Sequence, residues 1–482
     1  MPESEHDTEP FPRAVLDALD AAADRPVFEH GPREVTGAEL LELVARIATG
    51  LRNAGLGPGD GVALLLGVNP EAFATILAAH AVGARVVGVR PGLPDAQLRH
   101  LLGLDIAAVI TDSGGAYAPR TLAVGELIRA DASPLRLGGQ PGDVARLIPT
   151  SGSTGTPKAC AQTYAAMGAA WTARPSVWPP AIRELASRLD RYLVFGTLSS
   201  QVMFEYAVLT IAAGGTVVVA DNPVLPDAIT RHRASASVIT VPRLAKLVAA
   251  QRRDPADLST LRALMVSGSP LAPDRHREAL DVLGPVVFHG YGQTETGTIA
   301  MATPADPPGS VGVPAVDVEV RDPHGALVPR GAIGELFVRA PAQAAAYWCD
   351  PEQSAEVFTR GWVRTRDLGH LDVNGRLYLS GRTRDVVIVN ANLHYVGPIE
   401  RVIAEHPDVA EAYVVAVPDE DTGEAPHAFV VPAAGRTPDL AALRALVTAR
   451  LGAACAPVRV TAITEPPVAS SGKPDKRLLL SH

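Results

Sequence analysis

The sequence predicts an α/β protein built on parallel sheets. Three observations carry this. From Gly61 onward, short apolar runs alternate with amphipathic ones, which is the pattern of βαβ units. A chain of 482 residues has room for roughly two to four domains. Apolar residues make up 47% and charged residues 20%, enough to fill large cores and too many to leave the chain disordered.

Taken in order, Phe11 to Ala23 has helical spacing, and Val27 to Val35 reads as a hairpin around His30-Gly31. Thr36 and Glu39 form a capping box for a helix that reaches about Asn53. Gly61 to Leu66, Arg85 to Val89 and Ile106 to Ile110 read as strands, with helices over Glu71 to Ala81 and Ala96 to Leu102. Val144 to Pro149 is a buried strand ending in a turn. Tyr164 to Trp171 is a helix, Tyr192 to Leu198 a strand, and Val202 to Ala213 an apolar helix closed by Gly214-Gly215. Thr216 to Ala220, Ala236 to Thr240, Leu264 to Leu271 and Val286 to Tyr291 follow as strands. Near the C-terminus, Val386 to Val389, Val409 to Val417, Ala428 to Val431 and Val458 to Ile463 read as strands. Pro398 to His406 and Leu440 to Leu451 read as helices, giving a compact α+β lobe of about 100 residues.

The net charge of −9 argues against nucleic acid or an anionic membrane as partner. No long apolar span or signal peptide is apparent, and Met1 to Pro10 reads as an acidic tail. Cys160, Cys349 and Cys455 lack metal-like spacing and are odd in number. They read as free thiols of a reducing cytoplasm.

The most informative stretch is Thr150 to Lys158, TSGSTGTPK. Thr150, Ser151, Ser153, Thr154 and Thr156 bring hydroxyls, Gly152 and Gly155 allow close backbone approach, and Lys158 brings a cation. A polyphosphate fits that donor set. The spacing is not that of a Walker loop, and Pro157 removes the N–H a Walker helix needs before the lysine. Taken by itself, the stretch could equally be a polar surface loop.

Distant partners lift it above that alternative: YGQTETG (Tyr291 to Gly297), WVRTRDLG (Trp362 to Gly369), GRTRD (Gly381 to Asp385) and SSGKPDKR (Ser470 to Arg477). In order and spacing the chain resembles the adenylate-forming, AMP-binding superfamily from about Thr36 to its end. That superfamily includes acyl-CoA synthetases and amide bond synthetases. The resemblance implies an acyl-CoA synthetase-like fold. A large domain over 1–383 combines α/β subdomains with a β-rich part, and a small mobile α+β domain spans 384–482. It also implies a reaction in which ATP and a carboxylate give an acyl-adenylate and pyrophosphate with Mg²⁺, before a nucleophile takes the acyl group.

Residue by residue, the resemblance puts the loop Thr150 to Lys158 on the β- and γ-phosphates. Gly268 and Ser269, in MVSGSPL, touch acyl group and adenine. Tyr291 lies against the adenine beside Gly292, Thr294 meets the α-phosphate, and Glu295 holds Mg²⁺ as a hard carboxylate ligand. Asp367 accepts from the ribose hydroxyls, and Arg382 also reaches the ribose. Arg384 is the hinge. Lys473 enters the site during adenylation and stabilises charge at the α-phosphate. The acid pocket is expected near Gln201, Glu205, Gly290 and Gly297. Glu205 is the single charge in its helix; it either selects a polar or cationic group or points to water.

Two departures bear on the acceptor, which the resemblance allows to be CoA, a carrier-protein thiol or an amine. Ser199-Ser200-Gln201 stands where acyl-CoA synthetases usually carry a histidine or large aromatic. Asn390-Ala391 stands where CoA users have two glycines against the pantetheine arm, and Val396 where they have proline. These departures point narrowly to an amine, with CoA ligation as the alternative. A non-catalytic nucleotide-binding relative is disfavoured because Glu295, Asp367, Lys473 and the phosphate loop are all retained.

Overall fold

The computed structural model describes residues 10–481 except 91, 94, 118–119, 151–157, 384, 391, 434 and 468–473. Ser151, Gly152, Ser153, Thr154, Gly155, Thr156, Arg384, Ala391 and Lys473 therefore lie outside the described residues.

Among the described residues, four sheets form. In the first, Gly61–Leu65 is flanked by Arg85–Val89 and Ala108–Thr111, with Val144–Thr150 beyond the former and Thr121–Ala123 beyond the latter, all parallel. Lys158–Thr163 and then Ala346–Tyr347 extend this sheet antiparallel past Val144–Thr150. The second sheet has six parallel strands running from Val287–Gln293 to Pro26–His30, with antiparallel Gly297–Ala302 and Arg33–Thr36 at its edges. The parallel expectation thus holds for the body of both sheets, while hairpins close three of their margins.

One core joins the two sheets, because helices Pro70–Ala81 and Gln201–Ala212 are apolar nearly all round and pack between them. Phe73 sits at the centre, with ring centroids 5.1 Å from Phe28 and 5.3 Å from Phe204. The expected capping box is present: Thr36 N–H donates to Glu39 at 2.8 Å, and Glu39 N–H to Thr36 at 3.3 Å.

The third sheet is wholly antiparallel and centres on Trp362–Leu371, which pairs with Gly334–Arg339 and Leu377–Arg382. The fourth pairs Gly423–Pro432 with Val409–Asp419, Val386–Val389 and, in parallel, Arg459–Ala462. Helices Val396–Ala404 and Leu440–Leu451 cover it, and Val387, Ile399, Ile403, Val430, Leu443 and Val447 belong to a separate hydrophobic cluster. Among the described residues, no helix is long and apolar enough to cross a membrane.

Candidate active site

The site lies where three sheets meet. The stretch expected to meet phosphate begins and ends on an antiparallel pair, with Thr150 the register partner of Lys158. The strand before it follows Arg85–Val89 in the parallel order, so its end opens on the edge where the parallel strands terminate, the usual ligand edge of such sheets.

YGQTETG forms a second hairpin. Gln293 pairs with Gly297, and Thr294 to Thr296 make the turn. The backbone is crowded here, since a Cβ on Gly292 would lie 2.4 Å from the Gly297 carbonyl oxygen. Gly297 itself has φ +72°, a left-handed conformation that glycine adopts without strain. Gly268 turns the chain after strand Ala263–Ser267 with φ +98° and is exposed, with Ser269 half-buried beside it. Gly290 packs under Met265, whose sulfur would be 3.2 Å from an added Cβ.

Glu295 is gripped from the first sheet. Its carbonyl accepts from Ala344 N–H at 2.9 Å, and its Oε1 accepts from the Tyr347 hydroxyl at 2.7 Å. Cys160 is the register partner of Tyr347; burial first, and then the Glu295 charge, raise the thiol's pKa, so it stays protonated. The Lys158 ammonium lies 5.0 Å from the centre of the Tyr347 ring. Thr294 and Glu295 are half-buried at the turn. Glu295 is a hard oxygen donor, and one carboxylate suffices for Mg²⁺ when phosphates supply the other oxygens. Among the described residues, no cluster of three or more His, Cys, Asp or Glu forms a cage. The donor set therefore fits Mg²⁺ bound together with a nucleotide.

Asp367 is buried and central to the neighbouring contact. Its Oδ2 accepts from Tyr291 Oη at 2.7 Å and Gln293 Nε2 at 2.6 Å, and its Oδ1 from Arg382 Nε at 2.8 Å. A carboxylate offers about four acceptor sites, so one more donor can be taken before an existing one must move. Tyr291 is only 8% exposed and packs against Ile299, Val311 and Leu336, so a base would meet little of its ring. Its hydroxyl stays protonated, because burial and then the Asp367 charge raise its pKa.

Glu205 does not point to water. Its Oε1 accepts from Arg146 Nη2 at 2.9 Å and from Gln201 Nε2 at 2.9 Å, so both expected pocket residues are tied into one network. Arg146 Nε in turn donates to Gln162 Oε1 at 2.7 Å, and Gln162 Nε2 to the Ala342 carbonyl at 2.6 Å. Sequence reasoning missed Arg146, although a lone arginine inside an apolar strand was the available signal. It also missed Tyr347, Cys160 and Gln162, which carry no local signature.

Residues 16–348 match the AMP-binding enzyme family, and residues 398–473 match the AMP-binding enzyme C-terminal domain. The chain belongs to the AMP-binding enzyme family. It is therefore an ATP-dependent adenylate-forming ligase, as the motifs implied. It is 34% identical to a feruloyl-CoA synthase of Amycolatopsis sp over 92% of this chain and 93% of that protein. An indoleacetate–CoA ligase of Aromatoleum aromaticum is 32% identical over 92% of each chain. Among solved structures, the amide bond synthetase McbA from Marinactinospora thermotolerans superposes with a TM-score of 0.86 at 34% identity. That match covers 97% of this chain and 99% of McbA.

Proposed function

We propose that this AMP-binding enzyme activates a carboxylic acid with ATP and passes the acyl group to an amine. The observation that carries the acceptor is Asn390. It has φ +50° at the exposed tip between strands Val386–Val389 and Asn392–Tyr395. A left-handed backbone is kept there without glycine, and asparagine tolerates it better than most residues. The side chain nevertheless stands where a pantetheine arm passes in CoA users. Val396 adds a second difference, because its N–H donates to the Asp385 carbonyl at 2.9 Å and a proline there has no N–H to give. The likeness to an amide bond synthetase supports the same reading.

In this reading Lys158 and the loop before it hold the β- and γ-phosphates, Thr294 meets the α-phosphate, and Asp367 with Arg382 receives the ribose. Lys473 stabilises charge at the α-phosphate as the carboxylate attacks and pyrophosphate leaves. Mg²⁺ at Glu295 would neutralise phosphate charge. The amine then attacks the acyl carbon, AMP departs, and the amine's proton passes to solvent or base. Domains meet at Arg384, and the acid carries an aromatic group, as the names of two relatives suggest.

CoA ligation is the second reading, favoured by those same relatives. Replacing Asn390 and Ala391 together by glycine separates the two. Under the amine reading, acyl-CoA formation rises while amide formation is unchanged. If CoA transfer is already fast in the unaltered protein and glycines add nothing, the thioester reading stands instead.

A further inference from the structure

Tyr347 touches two groups that the proposed chemistry assigns to different partners. Its hydroxyl is 2.7 Å from Glu295 Oε1, and its ring centre is 5.0 Å from the Lys158 ammonium. The residue is 6% exposed and held from three sides. Strand Ala346–Tyr347 pairs with Lys158–Thr163, Tyr347 N–H donates to Ser354 Oγ at 2.9 Å, and Phe358 packs edge-on with centroids 5.3 Å apart. Tyr347 can therefore impose its position on both neighbours.

We propose that Tyr347 is a positioning residue that aims the Glu295 carboxylate at the divalent metal and seats Lys158 against the nucleotide phosphates. The inference rests on the reading of Glu295 as the metal carboxylate. One lone pair of Oε1 is taken by the hydroxyl, and the remaining acceptor sites stay available to a cation. The ring face stabilises an ammonium without neutralising it, which suits a lysine that meets phosphate. Partners of a ligating carboxylate fix its orientation, and losing one typically weakens metal binding about tenfold or more.

The test uses the full chain with Mn²⁺ as probe and α,β-methylene-ATP as nucleotide, bound Mn²⁺ being counted by electron paramagnetic resonance. Tyr347→Phe keeps the ring and removes the hydroxyl. It is expected to weaken Mn²⁺ about tenfold while leaving metal-free nucleotide affinity within about twofold. Tyr347→Met fills the space without a π face and should also weaken metal-free nucleotide binding, by roughly two- to fivefold. In a Glu295→Gln background, Tyr347→Phe should add no further loss of Mn²⁺, because the interaction it breaks is already gone. Unchanged Mn²⁺ affinity in Tyr347→Phe, with a clear loss in Glu295→Gln, overturns the positioning role and leaves the metal reading intact. Unchanged affinity in Glu295→Gln overturns both.

Discussion

Arg146 and Glu205 meet at 2.9 Å between strand Val144–Thr150 and the helix expected to border the acid pocket, Gln201–Ala212. Their side chains are 11% and 17% exposed, so the pair is largely dry. Burial lowers the Arg146 pKa, and the adjacent Glu205 charge raises it back in part. The pair ties strand Val144–Thr150 to helix Gln201–Ala212.

Removing one partner leaves the other charge buried. Glu205→Ala is therefore expected to destabilise the protein by about 3 kcal/mol or more, and Glu205→Met with Arg146→Met to recover much of that. Urea unfolding of the three proteins checks it. A single variant as stable as wild type would mean that Arg146 finds water or another anion once Glu205 is gone.

Asp367 gives a second prediction. Asn at 367 keeps the shape but loses the charge that Arg382, Tyr291 and Gln293 address. Hydrogen bonds to a charged group are worth about 1.5–3 kcal/mol. Asp367→Asn should accordingly raise the KM for ATP at least tenfold, with a smaller change in kcat. An unchanged KM with a lowered melting temperature would make Asp367 a strut between sheets and not a ribose ligand.

Much of the fold was legible. Thr36 and Glu39 announced their helix because a capping box is a local device, and the strands around Gly61, Arg85 and Ala236 are continuous apolar runs. What differed was partly local and partly set by distant partners. The strand expected over Tyr192 to Leu198 ends at Leu193, because the chain turns at Gly196 with φ +144°. Strand Gly423–Pro432 runs well beyond the apolar core expected at Ala428 to Val431. Its ends are extended by pairing with Val409–Asp419, which no local pattern records. Helices Val241–Arg253 and Pro273–Leu283 went unread although each has proline in its first turn. At the site, the roles expected of Glu295 and Asp367 came from resemblance to the family's motifs. Tyr347 and Gln162 gain their meaning from partners more than 50 residues away in sequence for Tyr347, and 180 residues away for Gln162.

Two buried histidines set a pH dependence. Burial, followed by Arg146 for His80 and His276 for His289, lowers their pKa values to about 3 and about 4. Because these values lie below the unfolded value of about 6.5, the unfolded chain takes up protons first as pH falls. Stability is complete above about pH 6.5 and declines below it, by about 2 kcal/mol per histidine at pH 5. Thermal unfolding from pH 8 to 5 should show this decline, and His289→Gln should reduce its slope. A melting temperature flat over that range would contradict the buried neutral state.

The last segment of the chain is anchored beside the proposed hinge. Lys476 Nζ lies 2.8 Å from Asp385 and 2.7 Å from Glu400. It stands three residues after Lys473 and one residue past Asp475 in the sequence. Lys476→Met is expected to slow acid-dependent ATP–pyrophosphate exchange about tenfold or more, as misplacement of a catalytic group does. Aminolysis of supplied acyl-adenylate should be spared. Equal loss of both half-reactions would indicate general unfolding of the C-terminal lobe.

The central claim is that this ligase delivers its acyl group to an amine, and product analysis tests it most directly. The protein is incubated with ATP, Mg²⁺ and an aryl acid, then with a simple amine or CoA added separately, and products are measured by mass spectrometry. The account predicts an acyl amide without CoA, formed faster than free acyl-adenylate reacts with the same amine in buffer, because the enzyme holds both reactants together. Robust acyl-CoA formation, with amide appearing only at the buffer rate, would contradict it.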